Sequence, residues 1–158
     1  MAFPVILCQR NPLWSGVHLG LSCETVGSAG CLTTDLSMIM DFLGIYKNPG
    51  ELAQWPNLYT SQGELIWENL PGLKLIKREF GYYPANIQAA IKNPNQYVIV
   101  EVGNAATGKT HWMWAWSKTL FGDWRVADPW SGTETLASAY KHSIGPIIGA
   151  AYLYKPTV

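Results

Sequence analysis

Charge is scarce in this chain. Only 14% of its 158 residues are Asp, Glu, Lys or Arg, where about a quarter is usual in a globular chain. Lys plus Arg number 11 and Asp plus Glu number 11, so the formal net charge is zero. Duplex-binding proteins normally carry a basic excess, and a nucleic-acid partner is therefore excluded. Long hydrophobic runs are missing too. None reaches the ~18–20 residues of a membrane-spanning helix. The N-terminal stretch MAFPVILCQRN has no basic leader and no extended apolar core, so it does not read as a secretory signal. Cysteine is limited to Cys8, Cys23 and Cys31. An odd number cannot all pair within one chain. No C-x-x-C spacing or following His pair suggests zinc. No metal or cofactor is expected. The set fits a reducing compartment with one chemically useful thiol.

Repeats, low-complexity tracts and Pro/Gly/Ser linkers are likewise missing, so residues 1–158 read as one domain. What is abundant is aromatic: 13% of residues, with eight Trp. That excludes disorder, which goes with few aromatics and high net charge.

Glycine and proline punctuate the first thirty residues, which read as loop. Residues 31–43 read as a helix, with Leu32, Leu36, Ile39, Met40 and Leu43 on one face and Gly44 past its end. Residues 61–70 read as a second helix and 84–92 as a third. Residues 73–80 read as extended. The period then changes. Residues 97–102, 111–117, 124–128 and 147–154 read as strands. In HWMWAWS over 111–117, Trp112, Trp114 and Trp116 face one way; His111, Met113 and Ala115 face the other. Helices first and an antiparallel sheet after make an α+β order.

The stretch GNAATGKT over 103–110 fits the phosphate-loop pattern letter for letter. That pattern needs a helix after it, because helix N-terminal amides bind the phosphates. Here an alternating, Trp-rich strand follows, so the match reads as a hairpin loop.

The informative constellation is Cys31, His111 and Asp128. Cys31 opens the strongest helix, where the partial positive charge of a helix N-terminus lowers a thiol pKa. Gly30 before it lets a substrate backbone approach. His111 begins one strand and Asp128 ends the next, so antiparallel pairing can bring them together. Nucleophile, base and orienting carboxylate are the parts of covalent acyl transfer. Singly, each has a plainer reading: a helix-start cysteine is often a small buried hydrophobe, and Asp-Pro a turn opener.

The order QRNPLW over 9–14, TVGSAGCLTTDLSM over 25–38, His111-Trp112 and VADPWSG over 126–132 resembles the C39-like branch of papain-like cysteine peptidases. The resemblance spans about residues 3–135. It implies a papain-like fold, with a Cys-bearing helix packed on an antiparallel sheet bearing His and Asp. It implies Cys31 as nucleophile, His111 as general base and acid, and Asp128 as the orienting residue. Gln9 matches the glutamine that helps form the oxyanion hole, with the Cys31 backbone N–H as second donor. Trp14, Gly30, Trp112 and Trp130 are the substrate-binding candidates, although Trp112 belongs to a stripe expected to pack mainly as core. His18 is at most a cleft residue, His142 a surface one.

Asp35 departs from the family, which more often carries a small residue there. It lies one turn from Cys31, where a carboxylate would raise the thiol pKa. Similar stand-alone domains occur in bacteriophage lysis and tail proteins that cut cell-wall peptides. The resemblance thus implies a peptide or peptidoglycan substrate and a lysis or virion assembly. The expected location is the host cytoplasm before release, or the virion, with action at the cell wall. A catalytically silent binding or virion structural domain is the alternative. A leader-peptide processing protease is a further one, less favoured because those domains are usually attached to membrane transporters.

Overall fold

A computed structural model describes residues 4–157. Residues 1–3, the start of the stretch read above as no secretory signal, lie outside the described residues, as does residue 158. The described residues form four α-helices, α1 (Val26–Ala29), α2 (Cys31–Phe42), α3 (Pro49–Ala53) and α4 (Pro84–Lys92). The strands are β1 (Lys74–Phe80), β2 (Gln96–Asn104), β3 (Lys109–Lys118), β4 (Trp124–Asp128), β5 (Thr133–Leu136) and β6 (Ile147–Tyr154). They make one sheet in the order β1-β6-β2-β3-β4-β5, with every neighbouring pair antiparallel. The expected α+β class holds. No helix among the described residues is long and apolar enough to cross a membrane.

The central strands are apolar on both faces because both faces are covered. Ile99, Trp112, Trp114, Ala127 and Ala151 pack against α2. Val98, Val100, Val102, Met113, Ala115 and Val126 pack with Ile87 and Ala90 of α4 on the other side. The alternation in HWMWAWS therefore divides two cores rather than core from solvent. Helix α2 is enclosed more fully than its spacing suggests. Residues 33–40 are all buried, because 44–70 folds over the side away from the sheet and adds Leu52, Leu58, Leu65 and Trp67.

The expected helix over 61–70 does not form. Gly63 sits at φ +81, in the left-handed region that interrupts a helix. Tyr59 and Leu65 pair across a tight turn, and only a 3-10 turn, Trp67–Asn69, follows. Leu65 reaches the core from an extended bridge and Trp67 from the start of the 3-10 turn, so their spacing was not that of an α-helix. The short helix α1 falls within the first thirty residues, which were expected to be loop, and α3 and β5 form in stretches for which the sequence suggested no element. Residues 103–110 form the β2–β3 hairpin, as expected, with Gly108 at φ +69.

Gly30 has a packing role that the sequence did not suggest. A Cβ there would lie 2.4 Å from the Val26 carbonyl oxygen and 2.5 Å from its Cα. The glycine allows α1 to turn directly into α2 and is not among the residues lining the cleft described below. Gly30→Ala should therefore lower stability by about 1–3 kcal/mol through overpacking, read as a lower urea midpoint. An unchanged midpoint would contradict this role.

Candidate active site

A cavity of about 1210 Å³ opens where the start of α2 meets β3. Gln9, Cys31, His111, Trp112, Trp130 and Tyr140 are among its lining residues. The sheet explains how His111 and Asp128 meet. β3 and β4 pair antiparallel, with Trp114 opposite Ala127. His111 at the start of β3 thereby comes beside Asp128 at the end of β4. Its Nε2 lies 2.8 Å from Asp128 Oδ1, and both residues are buried. The bond leaves Nδ1 as the ring nitrogen not engaged by the carboxylate.

Asp128 accepts more than this bond. The Trp130 backbone N–H donates to Oδ1 at 2.9 Å and Ser131 Oγ to Oδ2 at 3.0 Å. The Tyr140 hydroxyl also donates to Oδ2. Burial alone would raise this carboxyl, but the His111, Tyr140 and Trp130 bonds outweigh it and hold it below the usual carboxylate range. Tyr140 also stands against the imidazole, with ring centroids 5.0 Å apart. Sequence reasoning missed it, since it lies in a 3-10 turn, Ala137–Tyr140, that no motif marks.

Cys31 is the first residue of α2 and is partly accessible. Burial, and next the Asp35 carboxylate, push its thiol up to about 12. Backbone hydrogen bonds from Trp112, Leu32 and Cys31 itself oppose that push.

Gln9 is buried at the same place. Its backbone N–H donates to the Pro129 carbonyl at 2.7 Å, which fastens the N-terminal segment to the end of β4. Its Nε2 donates to the Gly27 carbonyl at 3.2 Å, while its Oε1 is buried without a partner.

Trp130 is 43% exposed, lines the cavity and carries the Arg10 guanidinium 4.4 Å above its ring. Trp112 lines the cavity while also packing in the core. Trp14 does not reach the cavity. Its Nε1 donates to the Cys8 carbonyl at 2.8 Å, and the ring packs with Leu19, Val26 and Ala53. Indole burial together with a satisfied N–H is a structural use. His18 bonds the Ser22 carbonyl at 2.9 Å, and His142 is exposed. Among the described residues, no group of three or more His, Cys, Asp or Glu is arranged to hold a metal ion.

Asp35 is fully buried, and neither carboxyl oxygen has a partner of hydrogen-bonding geometry. Burial, then repulsion from Asp128, raises it well above the ordinary carboxyl value; the Trp114 backbone offsets only part of that. Burial thus favours the uncharged acid, and wherever the carboxyl does ionise it adds to the rise of the Cys31 thiol. The departure noted in the sequence therefore bears on folding as well as on the thiol.

Comparison with protein-family models and with curated proteins finds no match for this chain.

Two pH dependences follow. Asp35 keeps its proton in the folded chain where the unfolded chain loses it, so it lowers stability progressively above about pH 4. Asp35→Asn removes that loss. Its stability relative to the parent should rise with pH above that point, by at most about 1.4 kcal/mol per pH unit. A pH-independent difference in urea unfolding would contradict it. Asp128 has the opposite sign: its contribution is full above the unfolded value of about 4 and fades as pH falls through the lower folded value. Tyr140→Phe removes one of its charge-assisted bonds. It should cost about 1–2 kcal/mol at neutral pH, discounted for partial exposure, and less under acid.

Proposed function

We propose that this chain is a cysteine peptidase or amidase with a papain-like fold, acting through Cys31, His111 and Asp128. The observation that carries the reading is one cavity lined by Cys31 and by a His111 whose Nε2 is held by Asp128. The resemblance of its motifs to C39-like peptidases points the same way. Peptides of bacterial peptidoglycan are the proposed substrate, with a phage lysis or tail assembly as the setting.

The chemistry follows from the residues. The thiol passes its proton to His111 Nδ1, and the Cys31 thiolate attacks the substrate carbonyl carbon. The Cys31 backbone N–H and the Gln9 side-chain amide are the candidate donors to the oxyanion. As the C–N bond breaks, His111 returns the proton to the leaving amine. Water, deprotonated by His111, then cleaves the thioester and releases the acid. Asp128 holds the ring and stabilises its cationic form.

One observation favours a second reading, a catalytically silent binding or virion domain. A thiol pushed up to about 12 is unreactive at neutral pH unless His111 accepts its proton.

Alkylation separates the two. With iodoacetamide at neutral pH, Cys31 should label faster than Cys8 and Cys23, and His111→Ala should remove that advantage. Equal, slow labelling of all three cysteines would favour the silent reading. On purified peptidoglycan, new amino termini that disappear in Cys31→Ala identify the substrate class; their absence, with cleavage of protein substrates instead, would overturn that class.

A further inference from the structure

Beside the proposed nucleophile, the same cavity holds two opposite charges that do not pair. Arg78 of β1 and Glu101 of β2 both line it. Among the described residues no ion pair within 4.0 Å joins them. Each nevertheless feels the other's charge. Register places them on the face that carries Trp112. Arg78 lies opposite Ala151 of β6, and Phe80 and Glu101 flank Gly149 of the same strand. A Cβ on Gly149 would lie 3.5 Å from Glu101 Oε1. The carboxylate thus lies over β6, the strand that separates it from Arg78.

Arg78 is built in rather than loose. Its guanidinium carbon lies 4.8 Å from the Trp112 ring centre, 5.2 Å from Phe80 and 5.4 Å from Trp67. Its Nε is buried with no hydrogen-bond partner. Aromatic contacts satisfy the face of a guanidinium but not its N–H edge, which matches a carboxylate in two parallel bonds. Among the described residues no side chain supplies that carboxylate. Trp112 connects the pair to the chemistry: its ring carries Arg78, and it lines the same cavity as Cys31.

We propose that Arg78 and Glu101 form a subsite, next to Cys31, for a zwitterionic amino-acid head group. Arg78 takes the carboxylate and Glu101 the ammonium of one α-carbon, as at the side-chain end of a diamino dicarboxylic acid in a peptide. A group with both charges fits between side chains too far apart to neutralise each other. A purely anionic group would face Glu101, and a purely cationic one Arg78. The assignment deepens the peptidase reading by naming the substrate residue, and rests on that reading only for its place beside the scissile bond.

The test is binding without turnover, in the Cys31→Ala protein, followed by tryptophan fluorescence. Three end-capped alanyl dipeptides are titrated. Their second side chain ends in a carboxylate (glutamate), in an ammonium (lysine), or in both on one carbon (2,6-diaminoheptanedioate). The two-charge ligand should bind at least tenfold tighter than either other. Arg78→Gln should weaken the carboxylate-bearing ligands at least tenfold and spare the ammonium-only one; Glu101→Gln should do the reverse for the carboxylate-only one. Arg78→Lys keeps the charge in the aromatic slot and should retain a weakened carboxylate preference, which guards against misfolding of the glutamine variant. Equal affinity for all three, no saturable binding at millimolar concentrations, or indifference to both glutamine variants would overturn the subsite. Failure of the peptidase reading would appear separately, as no cleavage by the parent protein.

Discussion

The hydrogen bond from His111 to Asp128 is the contact on which the candidate site depends. It engages one nitrogen of a buried imidazole and leaves the other clear of the carboxylate. Holding a carboxylate ionised in a protein interior costs several kcal/mol unless its lone pairs are occupied. Trp130, Ser131 and Tyr140 supply the remaining donors. Asp128-Pro129 therefore acts as an anchor as well as a turn: the Pro129 carbonyl accepts from Gln9, which draws the N-terminal segment across to the cleft. The end of β4 is where the sheet, the first loop and the 3-10 turn after β5 converge.

Enclosure of α2 is the second constraint, and it disfavours the charged forms of Cys31 and Asp35. Packing around α2 leaves Cys31 only partly accessible, at the cavity wall. The same burial raises the thiol and leaves Asp35 without a partner. An unsatisfied buried carboxyl costs about 1–3 kcal/mol in neutral form, and more if ionised. The site thus sits in a part of the fold where local and global preferences disagree, which is usual of functional regions. The aromatic wealth of the chain has three uses. Trp114 packs in the core, Trp14 braces the N-terminal loop, and Trp112 both packs and supports the cavity floor. Such a floor can carry a cation on its π face, as Arg78 shows.

Much of the sheet was legible because its strands alternate or run apolar between clear turn signals. The 103–110 loop was legible because a strand, not a helix, follows it. The Cys31 helix was legible from its apolar spacing, although not its enclosure. Helix α3 carried a readable signal that was missed: Asn48, Pro49 and Glu51 stand at N-cap, N1 and N3, and the capping box forms. The supposed helix over 61–70 failed because Gly63 and the Tyr59–Leu65 pairing impose a turn that a window of composition does not register.

What the sequence determined by itself is therefore local: which segments alternate, where a thiol opens a helix, and that His111 and Asp128 end adjoining strands. Three things were decided only by tertiary structure. Trp14 turns inward while Trp130 faces the cleft, because the Cys8 carbonyl claims the Trp14 N–H. Tyr140 reaches Asp128 from a turn with no motif. Arg78 and Glu101 share a cavity because β6 separates β1 from β2 in the sheet. Each depends on contacts between residues far apart in the chain, and sequence spacing carries no record of which distant surfaces meet.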